Sequence, residues 1–96
     1  MPVRVRLTLL GAARDLAGDA PSEIELAPGA TVAAALQALG GRYGAAWGRA
    51  VYDADGRIAT EVAILVNNRN IFLADGLETG LADGDALAIL PVVSGG

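Results

Sequence analysis

Cysteine, histidine and lysine are all missing from the 96 residues. Without cysteine there is no disulfide, no thiolate metal site and no nucleophilic thiol. The absence of histidine removes the usual general base near neutral pH, the commonest metal ligand and every Ser-His or Cys-His pair. An enzyme built from this chain alone would have to work with carboxylates. All seven basic residues are arginine, outnumbered by eleven acids for a net charge of −4, which argues against a basic nucleic-acid-binding patch. The modest acidity suits solubility, or docking on a basic partner.

Aromatic residues are also few, one Trp, one Phe and two Tyr, so the core must be built mainly from Leu, Val and Ile. A long apolar run is lacking too. The longest, residues 86–93, falls far short of the roughly 20 residues that span a bilayer. At the start, Arg4 and Arg6 precede a short apolar stretch, as in a signal peptide, but Arg14 and Asp15 interrupt it too early. A cytoplasmic protein with no membrane partner is the expectation.

What is present reads as one small domain with a single core. Val3, Val5, Leu7 and Leu9 alternate with Arg4, Arg6 and Thr8, the period-two signature of a half-buried strand. Residues 22–26 alternate likewise, with Ile24 and Leu26 inward and Glu23 and Glu25 outward. The glycine, aspartate and proline between them make the pair a loosely connected hairpin, with Arg4 and Arg6 facing the two glutamates across the strands. Pro28 and Gly29 end the second strand and Thr31 N-caps a helix. Val32, Leu36 and Leu39 lie on one face of that helix, and Gly40-Gly41 is expected to stop it. Residues 43–51, with Trp47, are expected to form a further short helical turn under the sheet.

Residues 53–57 read as a turn and 61–66 as a covered strand rich in β-branched residues. Asn67 and Asn68 make a reversal into a short strand over 70–73. The turn Asp83-Gly84-Asp85 leads into a last strand over 86–92. Pro91 near its end implies that the strand leaves the sheet there or that the missing N–H does no harm. The order strand, strand, helix, strand, short strand, strand is the layout of an α+β β-grasp, in which a mixed sheet of about five strands wraps one main helix. Residues 1–92 form the domain and 93–96 a tail.

Few residues look chemical. Asp53, Asp55 and Gly56 resemble the start of a calcium loop, but its twelfth position holds Ile64 where an acidic ligand belongs, so a plain turn is expected and no metal. Asp83 and Asp85 make a turn with outward side chains, lacking a cleft or a cation to split their pKa values. Gly40, Gly41 and Gly44 follow a helix rather than a strand and precede no helix start with Lys and Ser or Thr, which excludes a P-loop.

The tail Val92-Val93-Ser94-Gly95-Gly96 is different, because it joins the final strand directly to the chain end. A carboxylate resists substitution until its oxygen becomes a leaving group, as in an acyl-adenylate made from ATP, after which a sulfur nucleophile can displace AMP. Residues without side chains, Gly95 and Gly96 preceded by the small Ser94, let an extended backbone thread a narrow tunnel and present the terminal carbon without a Cβ clash.

The chain resembles the MoaD/ThiS sulfur-carrier family, in its MoaD-like branch with the small archaeal modifier and CysO-type relatives. The motifs are GAARDLAG at 11–18, TVAAALQAL at 31–39, VNNRNI at 66–71, LADGLETGLADGDALAILP at 73–91 and VSGG at 93–96. One departure is that Pro91 is followed by Val92, where such chains often carry a second proline.

The resemblance implies a ubiquitin-like fold that has no catalysis of its own and binds no cofactor. A ubiquitin-activating-enzyme-like adenylating protein of the MoeB/ThiF type would use ATP and Mg to adenylate Gly96, and a sulfur donor would make the thiocarboxylate. Sulfur would then pass to a MoaE-like, thiazole synthase-like or cysteine-synthase-like acceptor enzyme, for molybdopterin, thiamin, cysteine or another thio-metabolite. The docking face it implies is the apolar sheet surface near the tail, with Phe72, Leu90, Pro91, Val92 and Val93. The alternatives are a ubiquitin-like modifier conjugated to target lysines, and a passive interaction domain that needs no free Gly-Gly end. Without lysine, the chain cannot build lysine-linked polymers on itself.

Overall fold

A computed structural model describes residues 2–11, 14–15 and 23–91. Five strands form one mixed sheet: β1 (Val3–Leu9), β2 (Glu23–Leu26), β3 (Val62–Val66), β4 (Arg69–Asn70) and β5 (Ala86–Pro91), in the order β2-β1-β5-β3-β4. β1 and β5 run parallel and every other pair antiparallel. The central strand, β5, is thus the last in sequence among the described residues. Alternation decides the faces. Val5, Leu7, Ile24, Ile64, Leu87 and Ile89 are buried on one side, against two helices, α1 (Val32–Tyr43) and α2 (Ala45–Val51). The expected β-grasp is therefore present.

The hairpin forms in the anticipated register, Arg4 opposite Glu25 and Arg6 opposite Glu23. The Arg4 guanidinium lies 3.2 Å from Glu25 and 3.9 Å from Glu23. All three side chains are more than half exposed, so these pairs contribute less than about 1 kcal/mol each. Thr31 caps α1 as anticipated, its hydroxyl accepting the Ala34 N–H at 3.3 Å. Asn67 and Asn68 both take positive φ, 53° and 70°, in the β3–β4 reversal.

Three expectations need correction. Helix α1 does not stop at Gly40-Gly41 but continues to Tyr43, and Gly44, at φ +76°, ends it by donating its N–H to the Gly40 carbonyl at 2.7 Å. Each helical glycine costs about 1 kcal/mol relative to alanine; packing Tyr43 against the core, one turn beyond the buried Leu39, offsets that. The short helical turn expected over 43–51 is present as α2, which buries Trp47 and Val51. The expected strand over 70–73 ends at Asn70, because the Asn70 side-chain oxygen accepts the Phe72 N–H at 2.9 Å and starts a 3-10 turn, Ile71–Leu73. Finally, the Asp83 and Asp85 side chains bond within the fold. Asp83 accepts the Arg4 N–H, and Asp85 accepts the Ala82 N–H and the Asn67 amide, at 2.8–3.0 Å. These bonds, with the Gly84 N–H on the Arg4 carbonyl, tie the entrance of β5 to β1.

The Asp53 turn is as anticipated: its carboxylate accepts the N–H groups of Asp55 and Arg57 at 2.9 and 3.0 Å. At the exit of β5 the local constraint is tighter. Gly11 has φ +66°, and a Cβ there would stand 3.1 Å from Cγ of Pro91. Gly11→Ala therefore meets a left-handed backbone penalty of about 1–2 kcal/mol plus the ring contact. In urea unfolding, G11A should lower stability by more in the native background than beside Pro91→Ala, which removes the contact and leaves the φ penalty.

Candidate functional site

The geometry around the end of β5 follows from its place in the ladder. Leu10 continues β1 by donating its N–H to the Ile89 carbonyl at 3.0 Å, after the Arg6 N–H to Asp85 at 2.9 Å. By this alternation the Pro91 nitrogen faces the β1 side just past the end of that strand, where a missing donor does no harm. On its other side Pro91 pairs with Val62. The proline is exposed. The strand ends at this residue.

Leu90 is half-buried on the face opposite the helices. It lies across from Ala63, and Ala88 lies across from Leu65. Directly opposed residues of an antiparallel pair share a face, so these four make an aliphatic patch on the outer surface of the two strands. Helices α1 and α2 cover the other face. The patch is flat because two of its members are alanines, which suits docking more than enclosure of a small molecule.

Beside the strand's end lies a groove of about 280 Å³. Leu10, Leu90 and Pro91 form its apolar wall, and Arg49, Tyr52, Thr60 and Glu61 are among its polar residues. Burial raises the Tyr52 pKa above 10.0, because a phenolate would lose hydration there. The Thr60 hydroxyl donates to the Glu61 carboxylate at 2.9 Å.

Phe72 is 62% exposed, as a docking residue should be, but the structure does not bring it beside Leu90 and Pro91. It sits on the 3-10 turn after β4, two strands from β5, or about 10 Å at the usual strand spacing. With Leu73, 72% exposed, it forms a second apolar spot at the sheet edge, braced by the Arg69 guanidinium on the Leu73 carbonyl at 2.8 Å. Val92, Val93, Ser94, Gly95 and Gly96 lie outside the described residues.

The sequence reading missed Ala63, Leu65 and Ala88 on the outer face, and Leu10 and Leu73 among the exposed apolar residues. Leu10 left a signal: it is apolar where the alternation of β1 calls for a polar residue. The other four left none, because runs of apolar residues hide which face each one takes.

The comparisons fit this geometry. A family model described as the ThiS family matches residues 7–96. Small archaeal modifier protein 3 of Haloferax volcanii is 39% identical over 67 residues, covering 70% of this chain and 71% of that protein. The solution structure of small archaeal modifier protein 1 from Methanosarcina acetivorans superposes with a TM-score of 0.76 at 33% identity, over 100% of this chain and 99% of that one. A chain from the Amycolatopsis orientalis BexX/CysO complex gives 0.73 at 28% identity, over 96% and 99%. The fold, the terminal strand that carries the tail and the family match over nearly the whole chain agree, and the chain belongs to the ThiS family.

Proposed function

We propose that this protein is a sulfur carrier whose C-terminal Gly96 carboxylate is adenylated by a partner enzyme, converted to a thiocarboxylate and used as a sulfur donor in biosynthesis. The observation that supports it most is where the chain leaves the sheet. The central strand β5 ends at Pro91, five residues before Gly96, and the last two of those residues carry no side chain. The body contributes recognition and the partner contributes catalysis. The chain then has the role of a co-substrate and not of an enzyme, and ATP and Mg belong to the partner.

The chemistry divides accordingly. The partner's ATP supplies the activating group: a Gly96 carboxylate oxygen attacks the α-phosphorus and pyrophosphate leaves. A sulfur nucleophile then adds to the acyl carbon and AMP departs. This chain's share is to present the carboxylate at a fixed distance from a recognised surface. The outer patch around Leu90 and the exposed Pro91 are that surface in our reading, with Val92 and Val93 continuing it towards the terminus. The apolar spot at Phe72 and Leu73 is a separate contact at the sheet edge. The sulfur acceptor follows the same division, its selectivity lying in the partner's pocket.

A second reading has a specific observation in its favour, since the relatives include small archaeal modifier proteins. Conjugation to a protein lysine would share the adenylation step and differ only in the nucleophile that takes the acyl group.

Pyrophosphate exchange tests the shared step. With a MoeB/ThiF-type partner from the same genome and ATP–Mg, exchange into ATP should depend on this chain. Leu90→Arg should raise the chain concentration needed for half-maximal exchange at least tenfold, with its unfolding midpoint kept, since Leu90 is only half-buried. Exchange that never depends on the chain would end the reading. Full exchange with an unchanged concentration dependence for L90R would remove the outer patch from it.

A further inference from the structure

An activated acyl group on a short tail is a hazard to the protein that carries it, because any amine, thiol or imidazole within reach would capture it. Taking Gly96 as an acyl donor, as proposed above, the five residues after Pro91 can span at most about 17 Å. Within such a radius lie the groove beside Pro91 and its polar side chains. None of these is an acyl acceptor near neutral pH. Arg49 is a guanidinium, always protonated and without a free lone pair. Thr60 is an alcohol with no imidazole to take its proton. Asp53 and Glu61 could form only mixed anhydrides, which water reopens. Tyr52 is held as the neutral phenol by its burial. In the chain as a whole, no lysine, cysteine or histidine exists to do otherwise.

Topology also sets the start of β1, Val3, apart from the tail. β1 and β5 are parallel, with Leu9 level with Ile89 and Gly11 against Pro91. The start of β1 therefore lies eight residue positions back along the strand, or about 26 Å, beyond the reach of the tail.

We propose that the surface around the tail is built to be inert towards its own acyl group, so that the activated carboxyl has no acceptor on the same chain. Acyl or sulfur can then leave only to a nucleophile that a partner brings. If copies are ever joined to one another, the link is head to tail through the α-amine of a second copy and never through a side chain. In this role Arg49 supplies the positive charge on the groove's rim in the one basic form that cannot be acylated under these conditions.

The test needs no activating enzyme, which keeps it separate from the sulfur-carrier reading. The full chain is prepared as a small-thiol thioester at Gly96 through intein cleavage and held at about pH 9, where part of a lysine's amine is free. In a chain bearing such an amine near the tail, the nitrogen attacks the acyl carbon, the C–N bond forms as the C–S bond breaks, and the thiol leaves with a proton. The lactam weighs one water less than the hydrolysed acid. The native chain should give only the acid. Arg49→Lys, which keeps the charge, and Thr60→Lys should both give lactam as the main product, because a connection of only five residues after Pro91 sets a millimolar-range effective concentration; both positions are exposed, so the fold tolerates them. Glu25→Lys, opposite Arg4 and seven positions down the ladder from Gly11, should behave like the native chain. Lactam or internal ester from the native chain would overturn the proposal, as would acid alone from both R49K and T60K, or lactam from E25K equal to theirs. Failure of the native chain to be loaded by any adenylating partner would sink the carrier reading and leave this result standing.

Discussion

A chain extended by a single alanine after Gly96 is expected to lose thiocarboxylate formation by at least a hundredfold, although it still ends in a carboxylate of the same charge and is folded as before. The effect is one of position. A residue of extended chain moves the terminal carbon by about 3.5 Å, while displacement of a reacting atom by about 1 Å already costs on the order of a hundredfold. The recognised surface is fixed to β5 and the reacting atom to the chain end, so the number of residues between Pro91 and the carboxylate is the measuring device. The added Cβ also enters the space that the glycines keep clear. The comparison is the initial rate of thiocarboxylate formation for the two chains with one partner, ATP and a sulfide source. Equal rates would mean that the partner does not gauge the distance and that the diglycine is incidental.

Trp47→Ala is expected to be the most damaging single change in the body. The indole is 1% exposed, lies in α2 and meets the Tyr43 ring at 5.7 Å between centroids with a 38° tilt. Truncating a buried tryptophan costs about 3–5 kcal/mol, set against a stability of about 5–15 kcal/mol for a whole domain. Few other large side chains exist to close the hole, since this chain has only one Phe and two Tyr besides. The same indole has a cost in the native fold: its Nε1 and the Tyr43 hydroxyl are buried without a protein partner. Trp47→Phe retains most of the packing and removes one of these unpaired groups. It should therefore cost well under half of what W47A does in urea or thermal unfolding. Similar losses for the two would show that the indole nitrogen is satisfied, for instance by an ordered water.

These expectations draw on parts of the fold that were legible in the residues to different degrees. The β1–β2 hairpin and its register could be read because Val3, Val5, Leu7, Ile24 and Leu26 alternate strictly with charges, so a slip by one residue would bury an arginine or a glutamate. The reversal at Asn67-Asn68 could be read because few residues accept two successive positive φ angles. Helix α1 was read too short, since a Gly-Gly pair is a strong local stop, and only the tertiary burial of Tyr43 outweighs it. The 3-10 turn at Ile71–Leu73 was hidden for a similar reason: β-branched and aromatic residues suggest a strand, and one side-chain bond from Asn70 decides otherwise.

The geometry of the candidate site was only partly legible. Leu90 and Pro91 are the last two residues of β5. Phe72 was grouped with them in the apolar docking face that the family resemblance implies, and sheet order separates it. The groove lined by Arg49, Tyr52, Thr60 and Glu61 could not be read at all, because it joins α2 and the following turn to the end of β5. Such a meeting of segments distant in sequence is set by topology and leaves no local pattern.

The most direct measurement is the intact mass of the native chain after incubation with its adenylating partner, ATP–Mg and a sulfide source, followed by fragmentation to locate any change. The account requires a gain equal to the exchange of one oxygen for sulfur, confined to Gly96 and dependent on ATP. An unchanged mass under conditions where pyrophosphate exchange proceeds, or sulfur found anywhere but on Gly96, would contradict it.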